Sequence, residues 1–205
     1  MTPDAPPPSP SVLGLILAGG RGRRMGGVDK ALLPLAGRPL LAHAMAALSP
    51  QVERLALSAN GDPERFAAFG LEILPDPLPD FPGPLAGILA GLETLRGADW
   101  LVSVPADAPF LPHDLVSRLL ARQAESKAAA VYASSATRSH RATALWRADL
   151  APALRDYLLA GERRVGWFLA QIGAVAAVWQ EVSYDPFTNI NTPDDLAQAE
   201  QILRG

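Results

Sequence analysis

Five glycines and four cations crowd the stretch Leu17-Ala18-Gly19-Gly20-Arg21-Gly22-Arg23-Arg24-Met25-Gly26-Gly27-Val28-Asp29-Lys30, directly after the apolar run Val12-Leu13-Gly14-Leu15-Ile16-Leu17. Glycine lets a backbone turn tightly and bring its N–H groups close to a ligand, and successive N–H groups form a concavity that attracts anions. Phosphate is the natural guest. The chain as a whole carries a formal net charge of -3, so the positive charge is local. That distribution points to a small anionic partner and not to nucleic acid.

Two familiar phosphate loops fail on spacing. A Walker A loop needs Lys directly after its last Gly, followed by Ser or Thr, whereas Gly27 is followed by Val28, Asp29, Lys30 and Ala31. The dinucleotide fingerprint needs a third Gly where Met25 stands after Gly20 and Gly22. A carboxylate suited to phosphate chemistry lies further on, in Val104-Pro105-Ala106-Asp107-Ala108-Pro109-Phe110. Mg²⁺ is satisfied by one or two carboxylates plus phosphates and water, so a lone Asp107 at a strand end is adequate. The competing reading is an Asp that turns the chain by bonding nearby backbone.

These groups need a scaffold, and 205 residues suffice for one domain with a substantial core. Hydrophobic residues make up 49% and charged residues 19%, an ordinary globular balance. There is no cysteine, which excludes disulfides, thiolate zinc sites and cysteine nucleophiles. His43, His113 and His140 are scattered without paired-ligand spacing, so a histidine metal site is not expected. Residues 1–11 are proline-rich and lack the apolar centre of a secretory signal. They are expected to form a disordered tail ahead of one domain over 12–205. No apolar stretch approaches the ~20 residues that span a bilayer, and the expected location is cytoplasmic.

Val12 to Ala18 reads as a buried parallel strand that runs into the glycine loop. A helix follows over Pro39–Leu48, then strand Arg54–Ser58, a short helix over Glu64–Phe69 and strand Leu71–Leu74. Pro75 to Pro84 cannot be regular structure, because proline lacks the donor that helices and ladders require. Leu85 to Leu95 has helical spacing, Trp100–Val104 reads as a strand, Pro105–Pro112 as a loop and Asp114–Glu125 as a helix. Ala128–Ala133 and Thr143–Trp146 read as an antiparallel pair. Leu150–Leu159 and Arg164–Ile172 read as helices and Val175–Val182 as extended. Pro193–Leu203 reads as a last helix, with Thr192 as N-cap and Pro193 at N1. The alternation predicts a mostly parallel sheet covered on both faces, with ligands at the carboxyl ends of the strands. Gly19 to Lys30, Ser58 to Asn60, Asp76 and Asp107 all follow strands and therefore share that edge.

The stretch Leu17 to Lys30 resembles the first loop of the molybdenum cofactor guanylyltransferases, which join GMP to molybdopterin. Related sugar-nucleotide and cytidylyl transferases have a looser version, without the ending Gly26-Gly27-Val28-Asp29-Lys30. The resemblance runs from Leu13 to Leu203 and includes the block Asp76 to Gly87, the segment Gly161-Glu162-Arg163-Arg164-Val165 and Asp185-Pro186-Phe187-Thr188-Asn189-Ile190-Asn191-Thr192. It implies an α/β, Rossmann-like three-layer nucleotidyltransferase fold (glycosyltransferase-A-like) with a mostly parallel sheet. The implied reaction is Mg²⁺-dependent transfer of GMP from GTP to molybdopterin, giving the guanine dinucleotide cofactor and pyrophosphate.

Carried over residue by residue, the resemblance assigns Leu17, Ala18, Gly19, Gly20, Lys30, Ser58, Asn60, Asp76, Gly83 and Asp107 to the nucleotide. Arg24, Lys30 and Asp107 carry the chemistry, and Asp107 holds the metal. Asn189 and Asn191, whose amides both donate and accept, face the acceptor. Asp76 can accept from the N1–H and amino group of guanine or from ribose hydroxyls, or serve as a turn residue. Arg138, His140 and Arg141 lie in a polar stretch that can meet anionic molybdopterin or remain solvated. The implied partners are GTP, molybdopterin and, downstream, molybdoenzymes or their chaperones, with no membrane and no nucleic acid. Two departures stand out. Ser58 occupies a position where the family can have an asparagine that meets the nucleotide, with Asn60 the nearest substitute, and Arg141 follows His140 where proline is common. The rivals are a CTP-dependent molybdopterin cytidylyltransferase, a sugar-phosphate nucleotidyltransferase and a non-catalytic nucleotide-binding assembly partner. Ala18-Gly19-Gly20 and Pro82 to Gly87 favour guanine.

Overall fold

β1 (Val12–Leu17) contains only aliphatic residues and one glycine, and it is the strand on which the rest of the protein is built. The computed structural model describes residues 10–18, 29–79, 83–95, 97–180 and 183–204. Most of the glycine- and arginine-rich loop, residues 19–28, lies outside them, as does the proline-rich stretch through residue 9. Ser11 leads into β1, with its hydroxyl 2.7 Å from Glu53 Oε2 and its carbonyl accepting from Asp99 N.

A short antiparallel hairpin follows, β2 (Pro34–Leu35) and β3 (Arg38–Pro39), then α1 (Leu40–Leu48), β4 (Arg54–Ser58) and β5 (Glu72–Leu74). After these come α2 (Pro84–Glu93), β6 (Trp100–Pro105), α3 (Leu115–Ser126), β7 (Ala130–Ser135) and β8 (Ser139–Arg147). α4 (Ala151–Leu159), α5 (Val165–Gln171), β9 (Val175–Trp179) and α6 (Pro193–Arg204) complete the order. The main sheet has seven strands in the order β5-β4-β1-β6-β8-β7-β9. β5, β4, β1 and β6 are mutually parallel, β8 runs antiparallel to both neighbours, and β9 is parallel to β7.

Because side chains alternate across a strand, β1 feeds two cores at once. Val12 and Ile16 pack with Leu41, Ala44 and Leu48 of α1 and with Leu115 and Leu119 of α3 on one face. Leu13 and Leu15 pack on the other with Leu85, Ile88 and Leu89 of α2, Leu154 of α4 and Phe168 of α5. Helices therefore cover both faces, the three-layer arrangement expected from the alternating pattern. The expected antiparallel pair is β7 and β8, with a register shift between Tyr132 and Ala133. Ser103 of β6 ties that extension to the parallel half. Its buried hydroxyl donates to Ala142 O at 2.8 Å and accepts from the Trp146 indole at 2.9 Å.

At the open edge of the sheet, Arg118 and Arg122 of α3 donate to Val178 O and Ala176 O of β9 at 2.6 and 3.1 Å. The Arg118 guanidinium also lies 4.4 Å from the Trp179 ring centroid. Cationic side chains thus occupy edge carbonyls that would otherwise invite another strand. No helix among the described residues is long and apolar enough to cross a membrane.

α2 is buried from Leu85 to Leu92, and its close seat on the sheet depends on Gly87. A Cβ there would meet Ser58 Oγ at 2.2 Å and Leu17 Cδ2 at 3.0 Å, both at strand ends beside the cleft. Overfilling a packed contact of this kind costs about 1–3 kcal/mol. Gly87→Ala is accordingly expected to lower stability by that amount, read as a lower urea midpoint. An unchanged midpoint would contradict the close packing.

Two local features differ from the sequence expectation. Residues Pro63–Phe69 form a 3₁₀ helix, capped by Asp62 Oδ1 accepting from Glu64 N at 3.0 Å and closed by left-handed Gly70. The β2–β3 hairpin was not anticipated. Its turn places Ala36 and Gly37 at φ of 49° and 78°, and alanine there disguises a turn usually signalled by Asn-Gly or Asp-Gly.

Candidate active site

The strand order reverses beside β1. The chain leaves β1 for β4 on one side, and β6 joins on the other, which opens a crevice at their carboxyl ends. The pairing continues past the strands, with Ala18 N donating to Ser58 O at 2.9 Å and Ala106 N to Leu17 O at 3.0 Å. The cavity at this point is lined by Leu17, Ala18, Lys30, Asp107, Ala142 and Asn189, among others.

Lys30 enters from a 3₁₀ turn, Lys30–Leu32, whose N-cap Asp29 accepts from Ala31 N at 3.1 Å. Its ammonium donates to Asp107 Oδ2 and, at 2.7 Å, to Asn191 Oδ1. Residues 77 and 161 positions away thereby converge on one cation. The two charged side chains remain 23% and 17% exposed, sheltered enough to interact strongly and open enough to meet a ligand. The Asp107 carbonyl also accepts from Ile190 N at 2.9 Å, joining the β6 loop to the segment that bears Asn189 and Asn191.

A second pair sits two strands along. Asn60 Nδ2 donates to Asp76 Oδ2 at 2.7 Å, and Asp76 N donates to Asn60 Oδ1 at 2.9 Å. Burial raises the Asp76 pKa above its ordinary carboxylate value, partly offset by the Asn60 hydrogen bond. Arg65 connects this loop to the Lys30 turn, with Nη2 donating to Asn60 O at 2.5 Å and Nε lying 3.4 Å from Asp29 Oδ2. Arg65 was not singled out in the sequence, where it is one of many surface-type arginines. Its role emerges only from the fold.

Ser58 is 1% exposed, with its side chain packed below Gly87, while its carbonyl holds Ala18. Gly83, at φ +145°, introduces α2, and Pro84 at the start of that helix lines the cleft. Gly19, Gly20 and Arg24 lie outside the described residues. Asn189 borders both the Lys30–Asp107 cavity and an adjoining polar one with Arg138, His140, Arg141 and Asn191.

Asn191 is held by the start of α6. Asp195 Oδ2 accepts from Asn191 N at 2.7 Å and Thr192 N at 2.8 Å, while Asp195 N donates back to Thr192 Oγ1 at 3.1 Å. This reciprocal capping lowers the Asp195 pKa, chiefly through the Asn191 N–H. The stability it contributes is present above the ordinary carboxylate pKa and is lost as pH falls through the lowered value.

Among the described residues no group of three or more His, Cys, Asp or Glu could cage a metal. One partly exposed carboxylate, Asp107, lining the cleft fits a different case, a hard cation that brings phosphate and water ligands with it.

Residues 14–175 match the MobA-like NTP transferase domain. A molybdenum cofactor guanylyltransferase from Rhodopseudomonas palustris is 48% identical over 198 residues, with 94% of each chain covered. One from Cereibacter sphaeroides is 49% identical over 195 residues, covering 94% of this chain and 97% of its own. Among solved structures, molybdopterin-guanine dinucleotide biosynthesis protein A from Archaeoglobus fulgidus superposes with a TM-score of 0.76 at 24% identity, covering 94% of this chain and 98% of that one. A 4-diphosphocytidyl-2C-methyl-D-erythritol synthase from Anaerococcus prevotii superposes at 0.72 and 13% identity, covering 96% and 97%. The last two likenesses concern the fold alone, whereas the family match covers well over half of the chain and the two relatives span nearly all of it at the level of sequence. The chain is therefore a nucleotidyltransferase and belongs to the MobA-like family, among the molybdenum cofactor guanylyltransferases.

Proposed function

We propose that this enzyme transfers GMP from GTP to the terminal phosphate of molybdopterin, releasing pyrophosphate. The convergence of Lys30, Asp107 and Asn191 at the β1/β6 crevice carries this reading, because it sets a cation and a carboxylate beside the acceptor-facing amide. The Asn60–Asp76 pair stands at the ends of β4 and β5, up to three strand spacings from β6. That is about 14 Å, a span suited to a nucleotide with its base at Asp76 and its phosphates at Lys30.

A phosphate monoester has its second pKa near ~6, so the acceptor phosphate is largely dianionic at neutral pH and needs no general base. One of its oxygens attacks the α-phosphorus of GTP. A new P–O bond forms there, the bond from that phosphorus to the bridging oxygen breaks, and pyrophosphate departs with the electron pair. The obstacle is repulsion between two polyanions, which positioned cations offset. Lys30 meets the charge that builds on the bridging and leaving oxygens, joined by Arg24 and by the loop N–H groups of Gly19 and Gly20. Asp107 would hold Mg²⁺, which would supply positive charge against the phosphates. Asn189 and Asn191 orient the acceptor.

The ionised Asp76 accepts from the N1–H and amino group of guanine. Its raised pKa gives the pH dependence a definite sign. GTP affinity is expected to fall as pH drops through that value, and Asp76→Asn should flatten the dependence in calorimetric titrations. Stability moves the other way, since the folded chain binds this proton more tightly and the penalty for the half-buried charge is relieved on acidification.

Dinucleotide formation measured with each of the four NTPs tests the assignment. Product with GTP at a kcat/KM well above that with CTP is expected. Preference for CTP would transfer the enzyme to the cytidylyl class, and binding without product would make it a nucleotide sensor.

A further inference from the structure

We propose that Asp185 is a positioning residue for the acceptor side of the site, an inference that rests on the proposed transfer to molybdopterin and adds to it the residue that fixes the acceptor loop. Asp185 Oδ2 lies 3.1 Å from the Ser135 hydroxyl, which donates to it, and 3.0 Å from His140 Nε2. Its other oxygen, Oδ1, accepts from Phe187 N at 2.9 Å. Ser135 ends β7 and His140 lies near the start of β8. One carboxylate therefore fastens the loop that follows β9 to two strands of the antiparallel extension.

Phe187 strengthens the attachment. It is buried, with its ring centroid 5.0 Å from that of His140 and 5.1 Å from that of Trp179. Two residues later comes Asn189, which borders both cavities of the site. His140 itself lines the polar cavity beside Arg138 and Arg141. Asp185 thus sets the backbone that delivers Asn189 and the orientation of the His140 ring, and with both oxygens engaged it acts through those groups.

The far end of the loop has anchors of its own. Ile190 N is bound to Asp107 O, and Asn191 N to Asp195. Asp185 takes part in none of these contacts, nor in the Lys30–Asp107 pair. The effect therefore falls on the acceptor and spares the nucleotide.

The test is equilibrium binding by the full-length protein, with molybdopterin followed by pterin fluorescence and GTP by calorimetry. Hydrogen bonds to a charged group are worth about 1.5–3 kcal/mol, which corresponds to roughly a ten- to hundredfold change. Asp185→Asn is expected to weaken molybdopterin about tenfold or more while leaving the GTP Kd within about twofold. Ser135→Ala removes one donor and should produce a smaller shift of the same kind, which provides a readout if Asp185→Asn fails to fold. Unchanged molybdopterin affinity in a folded variant, or equal losses for both ligands, would overturn the proposal. Failure of the unsubstituted protein to bind molybdopterin at all would instead overturn the transfer reading beneath it.

Discussion

Asp107→Ala is expected to reduce GMP transfer by about a thousandfold or more while GTP still binds within roughly tenfold of its original affinity. The asymmetry follows from what the carboxylate touches. In the structure Asp107 accepts from Lys30 and lies in the cleft at the end of β6. Removing it takes away the proposed seat of a divalent cation, which would supply charge against the leaving pyrophosphate, and the loss of a group acting in that way is expected mainly in kcat. It also releases the Lys30 ammonium from its carboxylate partner, leaving it to interact more fully with the triphosphate. Binding is therefore partly compensated and turnover is not. Single-turnover pyrophosphate release beside calorimetric GTP binding separates the two effects. Undiminished turnover at saturating Mg²⁺ would remove Asp107 from its role.

Lys30→Ala is expected to damage both steps. The ammonium meets phosphate charge already present in bound GTP and again as that charge shifts toward the leaving group. Its loss should raise the GTP Kd about tenfold or more and lower kcat by about a hundredfold. It also strips Asp107 of its counter-charge and Asn191 of its donor, so the variant places an unpaired, partly buried carboxylate in the cleft. Lys30→Arg keeps the charge but changes its reach and geometry, and only partial recovery is expected. The same pair of measurements applies. A loss confined to binding, with kcat intact, would make Lys30 an anchor for the ground state alone.

The elements that carry this site were legible in the sequence because they obey short-range rules. The apolar run of β1 ending in glycines, the proline-rich break before α2 and the Thr192-Pro193 start of α6 each encode their own structure locally. Asp107 was legible too, since an Asp just past an apolar strand in an alternating pattern must emerge at the carboxyl edge. Long-range pairings were not. Nothing near Asn60 announces that its amide closes on Asp76, and nothing near Lys30 points to Asn191. Arg65 and the Ser135–His140–Asp185 cluster likewise depend on segments brought together only by the order of strands. Ser58 shows the reverse problem, in that the resemblance assigns it to the nucleotide, with Asn60 as the nearest substitute, while the tight seat of Gly87 covers its side chain.

The most direct test of the central claim asks which phosphorus travels. GTP carrying a radiolabel on the α-phosphorus, incubated with the enzyme, Mg²⁺ and molybdopterin, should yield label that co-migrates with the pterin product, and GTP labelled on the γ-phosphorus should yield labelled pyrophosphate. Label from the γ-position on the pterin, or release of labelled inorganic phosphate as the sole product, would show that a different bond is broken and would contradict the account.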